Sequence, residues 1–159
     1  MPEANKQTRK NAFLYCAFRD QQFALYSAFA KKCGLTMNTL LVLNALYYAD
    51  DGLTQSEICS RTHHSKQTVS LIVKKLVVDG HASLKESEDD ARVKVVRLTE
   101  GGRLWAEGPV RHITLSEDAA MAALQPQEQE LLVNLSRTFT ENLTALVNSD
   151  DADTAPVHQ

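Results

Sequence analysis

Residues 53–102 read LTQSEICSRTHHSKQTVSLIVKKLVVDGHASLKESEDDARVKVVRLTEGG, and this stretch decides the fold. Thr54, Gln55, Ser56 and Glu57 open a short helix with a capping box, in which the Thr hydroxyl and the Glu carboxylate each satisfy a backbone group at the helix start. That helix is expected to end near Ser60. Ser65 caps a second one, on which Val69, Ile72, Val73, Leu76 and Val77 recur at the spacing of a single buried face. Gly80 stops it. Residues 81–85 then extend as a strand, 86–90 form a polar turn, and 92–98 return through β-branched Val93, Val95 and Val96. A hairpin this short is marginal alone and must lean on the helices. The expected architecture is therefore mainly α with a small β-hairpin wing (α+β), a winged helix-turn-helix.

At helical periodicity the second helix turns Gln67, Thr68, Ser70, Leu71, Lys74 and Lys75 away from its apolar stripe. These side chains suit a DNA major groove. Gln bonds adenine in bidentate fashion, Ser and Thr bond several base edges, Leu meets a thymine methyl, and Lys neutralises phosphate. Residues nearest the N-terminus reach deepest, which puts Ser65, Lys66, Gln67, Thr68 and Ser70 first as groove contacts. An ordinary amphipathic helix with a solvated outer face fits the same pattern. The wing shifts the balance, because Arg92 at its tip suits the narrow, negative minor groove of A·T-rich DNA. Its competing reading is an exposed Asp90–Arg92 ion pair of little energetic weight. A winged helix used only for protein contact would fit the fold without requiring cations on the recognition face.

Residues 35–102, and more loosely the chain as far as Val147, resemble the MarR family of bacterial transcriptional regulators. The strings that carry the resemblance are LTQSEI, SKQTVSLIVKKLVVDG and DDARVKVVRLTEGG. The family's wing signature is met at Asp90, Arg92, Leu98, Thr99 and Gly102. The resemblance implies a DNA contact at Arg92, with Asp90 supporting it, and a homodimer whose terminal helices, 11–34 and 103–147, interleave into one platform around the reading heads of residues 35–102. It implies double-stranded DNA as partner, repression of a promoter, and relief by a small aromatic effector or by oxidation of a cysteine.

Composition agrees with one globular domain of 159 residues, of which 43% are apolar and 23% charged. The net charge of −3 looks wrong for a DNA-binding chain, but it is unevenly spread. Residues 61–111 hold ten Lys or Arg against seven Asp or Glu, whereas residues 112–159 set Arg137 alone against eight carboxylates. Phosphate responds to the local field, and residues 61–78 carry four cations and no anion. The acidic end is expected to face away from DNA. No leader or membrane span is legible, so a cytoplasmic location is expected. Cys16, Cys33 and Cys59 are too scattered for a disulfide framework, and the spacing of His63, His64 and His81 does not make a zinc site. No cofactor is implied. Catalysis is not expected either, since phosphate-cradling loops and nucleophile motifs are lacking.

Outside the reading head the pattern is helical. A first helix over 11–33 ends at Gly34, and Thr36 caps an evenly apolar one from Met37 to about Tyr48. Thr99 starts a long helix in which Pro109 predicts a kink. Pro126 opens the last helix, which is expected to bury Leu131, Leu132, Leu135, Phe139, Leu143 and Leu146, before a mobile tail from Asn148. A winged helix needs no such extensions for its own core, and an added apolar stripe needs a partner. Dimerisation is the economical answer, and a two-fold dimer predicts a pseudo-palindromic operator. Tyr15, Tyr26, Tyr47, Tyr48 and Trp105 are candidates to line an effector site, although aromatics on apolar helices more often serve the core. Cys16 is the candidate redox thiol, although a free cysteine is more often simply buried. Cys33, beside Lys31 and Lys32, is the thiol expected to be most exposed.

Overall fold

The computed structural model describes residues 4–86 and 93–149. Its elements run α1 (Lys6–Lys32), α2 (Met37–Tyr47), β1 (Leu53–Thr54), α3 (Gln55–Thr62), α4 (Lys66–Val78), β2 (Ala82–Glu86), β3 (Lys94–Leu98), α5 (Glu100–Ala122) and α6 (Pro126–Ser149). The chain is mainly helical with one small antiparallel sheet, the winged-helix arrangement expected from the sequence. Residues 1–113 form one compact unit and residues 114–159 a second.

Side-chain caps set the helix starts of the first unit. Thr36 accepts from the Thr39 N–H at 3.1 Å to begin α2. The capping box at α3 is complete, with the Thr54 N–H donating to Glu57 Oε2 at 2.7 Å and the Glu57 N–H to Thr54 Oγ1 at 3.2 Å. Ser65 begins α4 by accepting from the Thr68 N–H at 3.2 Å. Two boundaries differ from expectation. α1 begins at Lys6 instead of Asn11, because Asn5 caps it by accepting from the Thr8 N–H at 2.8 Å ahead of any apolar periodicity. α3 continues past Ser60 to Thr62 and ends on His63, whose φ of +54° is left-handed.

The sheet has three strands where two are legible in the sequence. Their order is β1-β3-β2, and Val96 faces both Leu53 of β1 and Leu84 of β2. β1 is only two residues long, too short to show a period of two, and its Thr54 is also the α3 cap. The turn before β1 needs glycine. Gly52 has φ +77°, and a Cβ there would lie 2.4 Å from Arg97 Cγ and 2.5 Å from the Val96 carbonyl oxygen.

The core of this unit joins Leu43 and Leu46 of α2, Ile58 of α3, Val69, Val73 and Leu76 of α4, Val96 of β3, and Ala106 and Val110 of α5. Ile72 and Val77, the other two apolar positions of α4, are half-buried against it. α5 starts at a hydrogen-bonded corner. Thr99 Oγ1 accepts from the Gly102 N–H at 2.9 Å and donates to the Gly80 carbonyl at 2.8 Å. Gly102 itself is packed so closely that a Cβ would lie 1.8 Å from the His81 carbonyl oxygen. α5 then continues through Pro109 to Ala122.

The second unit contains α6, which starts at Pro126 with Glu128 Oε2 accepting from the Gln125 N–H at 2.8 Å. The expected burial of its apolar stripe is corrected here. No residue of α6 is buried: Leu131, Leu132, Leu135, Leu143 and Leu146 are exposed, and Phe139 is half-buried. α1 is similar along most of its length, with Phe13 73% exposed and only Ala30 buried. Both helices are long enough to present continuous apolar faces that this single chain leaves uncovered. α6 also extends past Asn148, where the tail was expected to begin.

Candidate nucleic-acid interface

α4 is fixed in the first unit by one face and open on the other. Val69, Val73 and Leu76 are buried, whereas Ser65, Lys66, Gln67, Ser70, Leu71, Lys74 and Lys75 are exposed and Thr68 is half-buried. The eight predicted α4 contacts thus form one continuous surface at the cap and along the outer face. Their freedom differs. Ser65 Oγ and Thr68 Oγ1 lie 2.9 Å apart and share a hydrogen bond, which occupies part of their capacity. Gln67 is the one amide on this face, able to donate and accept together. Leu71 is an apolar side chain left 64% exposed among polar neighbours. Lys75 Nζ pairs with Asp79 Oδ2 at 2.8 Å. Such an exposed i,i+4 pair is weak and salt-screened, so it holds Lys75 only loosely. Lys66 and Lys74 make no ion pair among the described residues. Asp90 and Arg92, the predicted wing contacts, lie outside the described residues.

Three side chains that the sequence reading left without a role hold the surroundings of α4 together. Arg97 Nε donates to the Asp51 carbonyl at 2.7 Å, tying β3 to the turn before β1. Arg103 Nη1 donates to the Tyr47 carbonyl at 3.0 Å, its Nη2 pairs with Asp50 at 3.1 Å, and its guanidinium lies 5.2 Å from the centre of the Tyr47 ring. His81 stacks on Trp105 with ring centroids 3.9 Å apart and planes 2° from parallel. Each contact spans at least two dozen residues or joins different elements, and no local pattern signals it. A positive charge directly after the glycine pair was the one available hint for Arg103.

The proposed effector residues take different places. Trp105 borders a groove of about 400 Å³ with Leu35, Thr39, Leu71, Ile72 and Lys75 among its other walls. Tyr15, Tyr26 and Tyr47 are not among them. Tyr47 lies beneath Arg103 and meets Tyr48 edge-on at 5.2 Å, so its ring serves the junction of α2 and α5. Cys16, Cys33 and Cys59 are all half-buried, so Cys33 does not stand out as the expected exposed thiol, and Cys59 packs against the core. His64 Nε2 is buried and has no hydrogen-bond partner among the described residues. No group of three or more His, Cys, Asp or Glu able to hold a metal occurs among the described residues. Nor is any described helix long and apolar enough to cross a membrane. The capping carboxylate of Glu57 is held below its usual range by hydrogen bonds from the Thr54 backbone and hydroxyl.

Residues 34–93 match the sequence pattern of the MarR family. The chain is similar to YdgJ of Bacillus subtilis, an uncharacterized HTH-type transcriptional regulator, at 26% identity over 110 residues, which is 69% of this chain and 66% of that protein. The chain thus spans just under two thirds of that relative. Among solved structures, AbsC of Streptomyces coelicolor, a MarR family transcriptional regulator, superposes with a TM-score of 0.72 at 18% identity, covering 91% of this chain and 99% of its own. MarR of Oenococcus oeni gives 0.69 at 18% identity over 82% and 98%. A MepR–DNA complex of S. aureus gives 0.66 at 20% identity over 87% and 99%. At these identities the superpositions establish a shared fold.

Proposed function

We propose that the chain, which matches the MarR family of transcriptional regulators over residues 34–93, binds DNA sequence-specifically as a homodimer and represses transcription. The observation that carries this reading is α4. Its inner stripe is fixed by the core, while Lys66, Gln67, Ser70, Leu71 and Lys74 stand together in solvent with no anion before Asp79. That surface combines groups that read base edges with groups that neutralise phosphate. The DNA-bound state of one structural neighbour supports it. Family members regulate transcription and are not enzymes, and nothing in the α4 surface resembles a nucleophile and base held in register.

The uncovered apolar faces of α1 and α6 support a second copy of this chain as their partner. Two heads related by a two-fold axis would read half-sites about one helical turn apart, and occupation of a promoter would exclude polymerase. A small ligand favouring a different separation of the heads would relieve repression, because it must then bind the DNA-competent state less well.

The test is a fluorescence-anisotropy titration against the DNA upstream of the protein's own gene and a scrambled duplex, at near-physiological salt. A preference of at least about a hundredfold for the native duplex is expected. Equal, weak binding to both would contradict an operator at that position. Sedimentation equilibrium supplies the second half, with the expected mass twice the 17.7 kDa of one chain.

A further inference from the structure

His81 is a point where three elements meet. Its N–H donates to the Leu76 carbonyl of α4 at 2.8 Å, and its carbonyl accepts from the Thr99 N–H at the end of β3 at 3.0 Å. The backbone of Gly102 lies against that same carbonyl, with no room for a β-carbon between them. The imidazole then lies flat on Trp105, one turn further along α5. The entry to β2 is thereby tied to the last turn of α4 by its backbone and to α5 by its ring. Thr99 closes the arrangement from the other strand, bonding the Gly80 carbonyl and the Gly102 N–H together.

We propose that His81 and Trp105 are positioning residues for DNA binding: their ring stack fixes the root of the two-stranded wing to α5 and thereby sets its angle to the recognition helix α4. This rests on the DNA-binding reading above. The reason a clamp is needed is geometric. β2 and β3 pair over only five residues and reach outward, so a small rotation at the root is multiplied along the strands. The burial along β2 falls from Ala82, which is buried, to Lys85 and Glu86, which are exposed, so the core holds the hairpin only at its base. Among the described residues the wing presents Lys85 and Lys94 to solvent. Those charges act on the same duplex as Lys66 and Lys74 only if the angle between wing and α4 is kept. The backbone at residue 81 sets the path of the chain and packs against the start of α5 at Gly102, while the side chain adds a contact one turn further along α5, where a flat stack resists tilting of either ring.

The proposal is tested in the full-length protein with His81→Ala, Trp105→Leu and the conservative His81→Phe, each measured for affinity to the upstream duplex over a range of salt concentrations. His81→Ala and Trp105→Leu should lose about three- to tenfold in affinity, the range expected for losing one aromatic stack. The slope of log affinity against log salt should also fall by about one to two, since wing cations no longer displace counterions. His81→Phe, which keeps a flat ring over Trp105, should restore both. A purely structural stack would lower the melting temperature while leaving the salt slope of the folded protein unchanged, and that result overturns the proposal. So does a His81→Phe variant as weak as His81→Ala. Failure of the unmodified protein to prefer its duplex would instead overturn the DNA-binding reading beneath it. Trp105 is the single tryptophan of the chain, so its emission reports the stack directly in the unmodified protein and in the two His81 variants.

Discussion

α4 and α6 carry the same kind of apolar stripe, yet α4 buries Val69, Val73 and Leu76 while α6 buries nothing. The two differ in what surrounds them. α4 has α2, α3 and the sheet on its apolar side, and the polar side it leaves open is where function is proposed. α6 leaves its apolar side open, with Leu135 59% exposed. Helical periodicity therefore fixes which direction a face points and leaves undetermined what will cover it. For α4 the cover lies in the same chain. For α6 the proposed cover is a second copy of this chain, because an apolar stripe of that length is more than a soluble monomer ordinarily leaves in water.

Charge placed in each stripe should separate the two cases most sharply. Val73→Asp buries an unpaired carboxylate and should destabilise the first unit by at least about 4 kcal/mol, enough to abolish its cooperative melting transition. Leu135→Asp should leave the helical circular dichroism of dilute protein in place and instead remove the concentration dependence of the melting temperature, as expected if the residue acts through association. Identical unfolding by both variants would erase the distinction.

Gly102→Ala probes the tight corner of the first unit, where the new methyl would collide with the His81 carbonyl. A loss of about 2–3 kcal/mol in chemical denaturation is expected from such overpacking. The equivalent change at Gly108, which has open space around its Cβ position on the same helix, should be neutral or stabilising. Arg103→Ala should cost about 1–2 kcal/mol by removing the contacts to Tyr47 and Asp50, with the exposed ion pair contributing the least.

Much of this was legible in the sequence because it is local. The caps at Thr36, Thr54 and Ser65, the stop after α4, and the buried face of α4 are all set by residues within two turns of one another. The surface of α4 followed by subtraction, since whatever is not in the stripe must face outward. What was hidden depends on distant residues. β1 exists only because Val95 and Val96 arrive to pair with it, and His81 acquires its neighbour Trp105 only when the sheet and α5 close on each other. His63 and His64 are neighbours in the sequence, yet His63, with a left-handed backbone, is exposed while His64 has its Nε2 buried. The five aromatic effector candidates were chosen by residue type, and type alone does not say which side chains share a cavity.

The smallest effect expected is on the acid side. Glu57 is held below its ordinary range by Thr54, so its contribution to α3 is fully present above the unfolded-state value and is lost as pH falls through the lowered folded-state value. Between about pH 5 and pH 3, the unmodified protein should therefore lose more stability than Glu57→Gln. Parallel acid limbs for the two proteins would show that the capping carboxylate is energetically idle.

The most direct test of the central claim, that the open face of α4 reads DNA, is the affinity of the Lys66→Glu, Lys74→Glu double variant for the upstream duplex, measured by anisotropy beside the unmodified protein. Both side chains are exposed and neither has an ion pair among the described residues, so the fold and its melting temperature should be preserved. The account predicts at least about a hundredfold loss, as two phosphate-facing cations per chain become repulsive. An unchanged affinity in a folded double variant would contradict it and move the DNA-binding surface away from this helix.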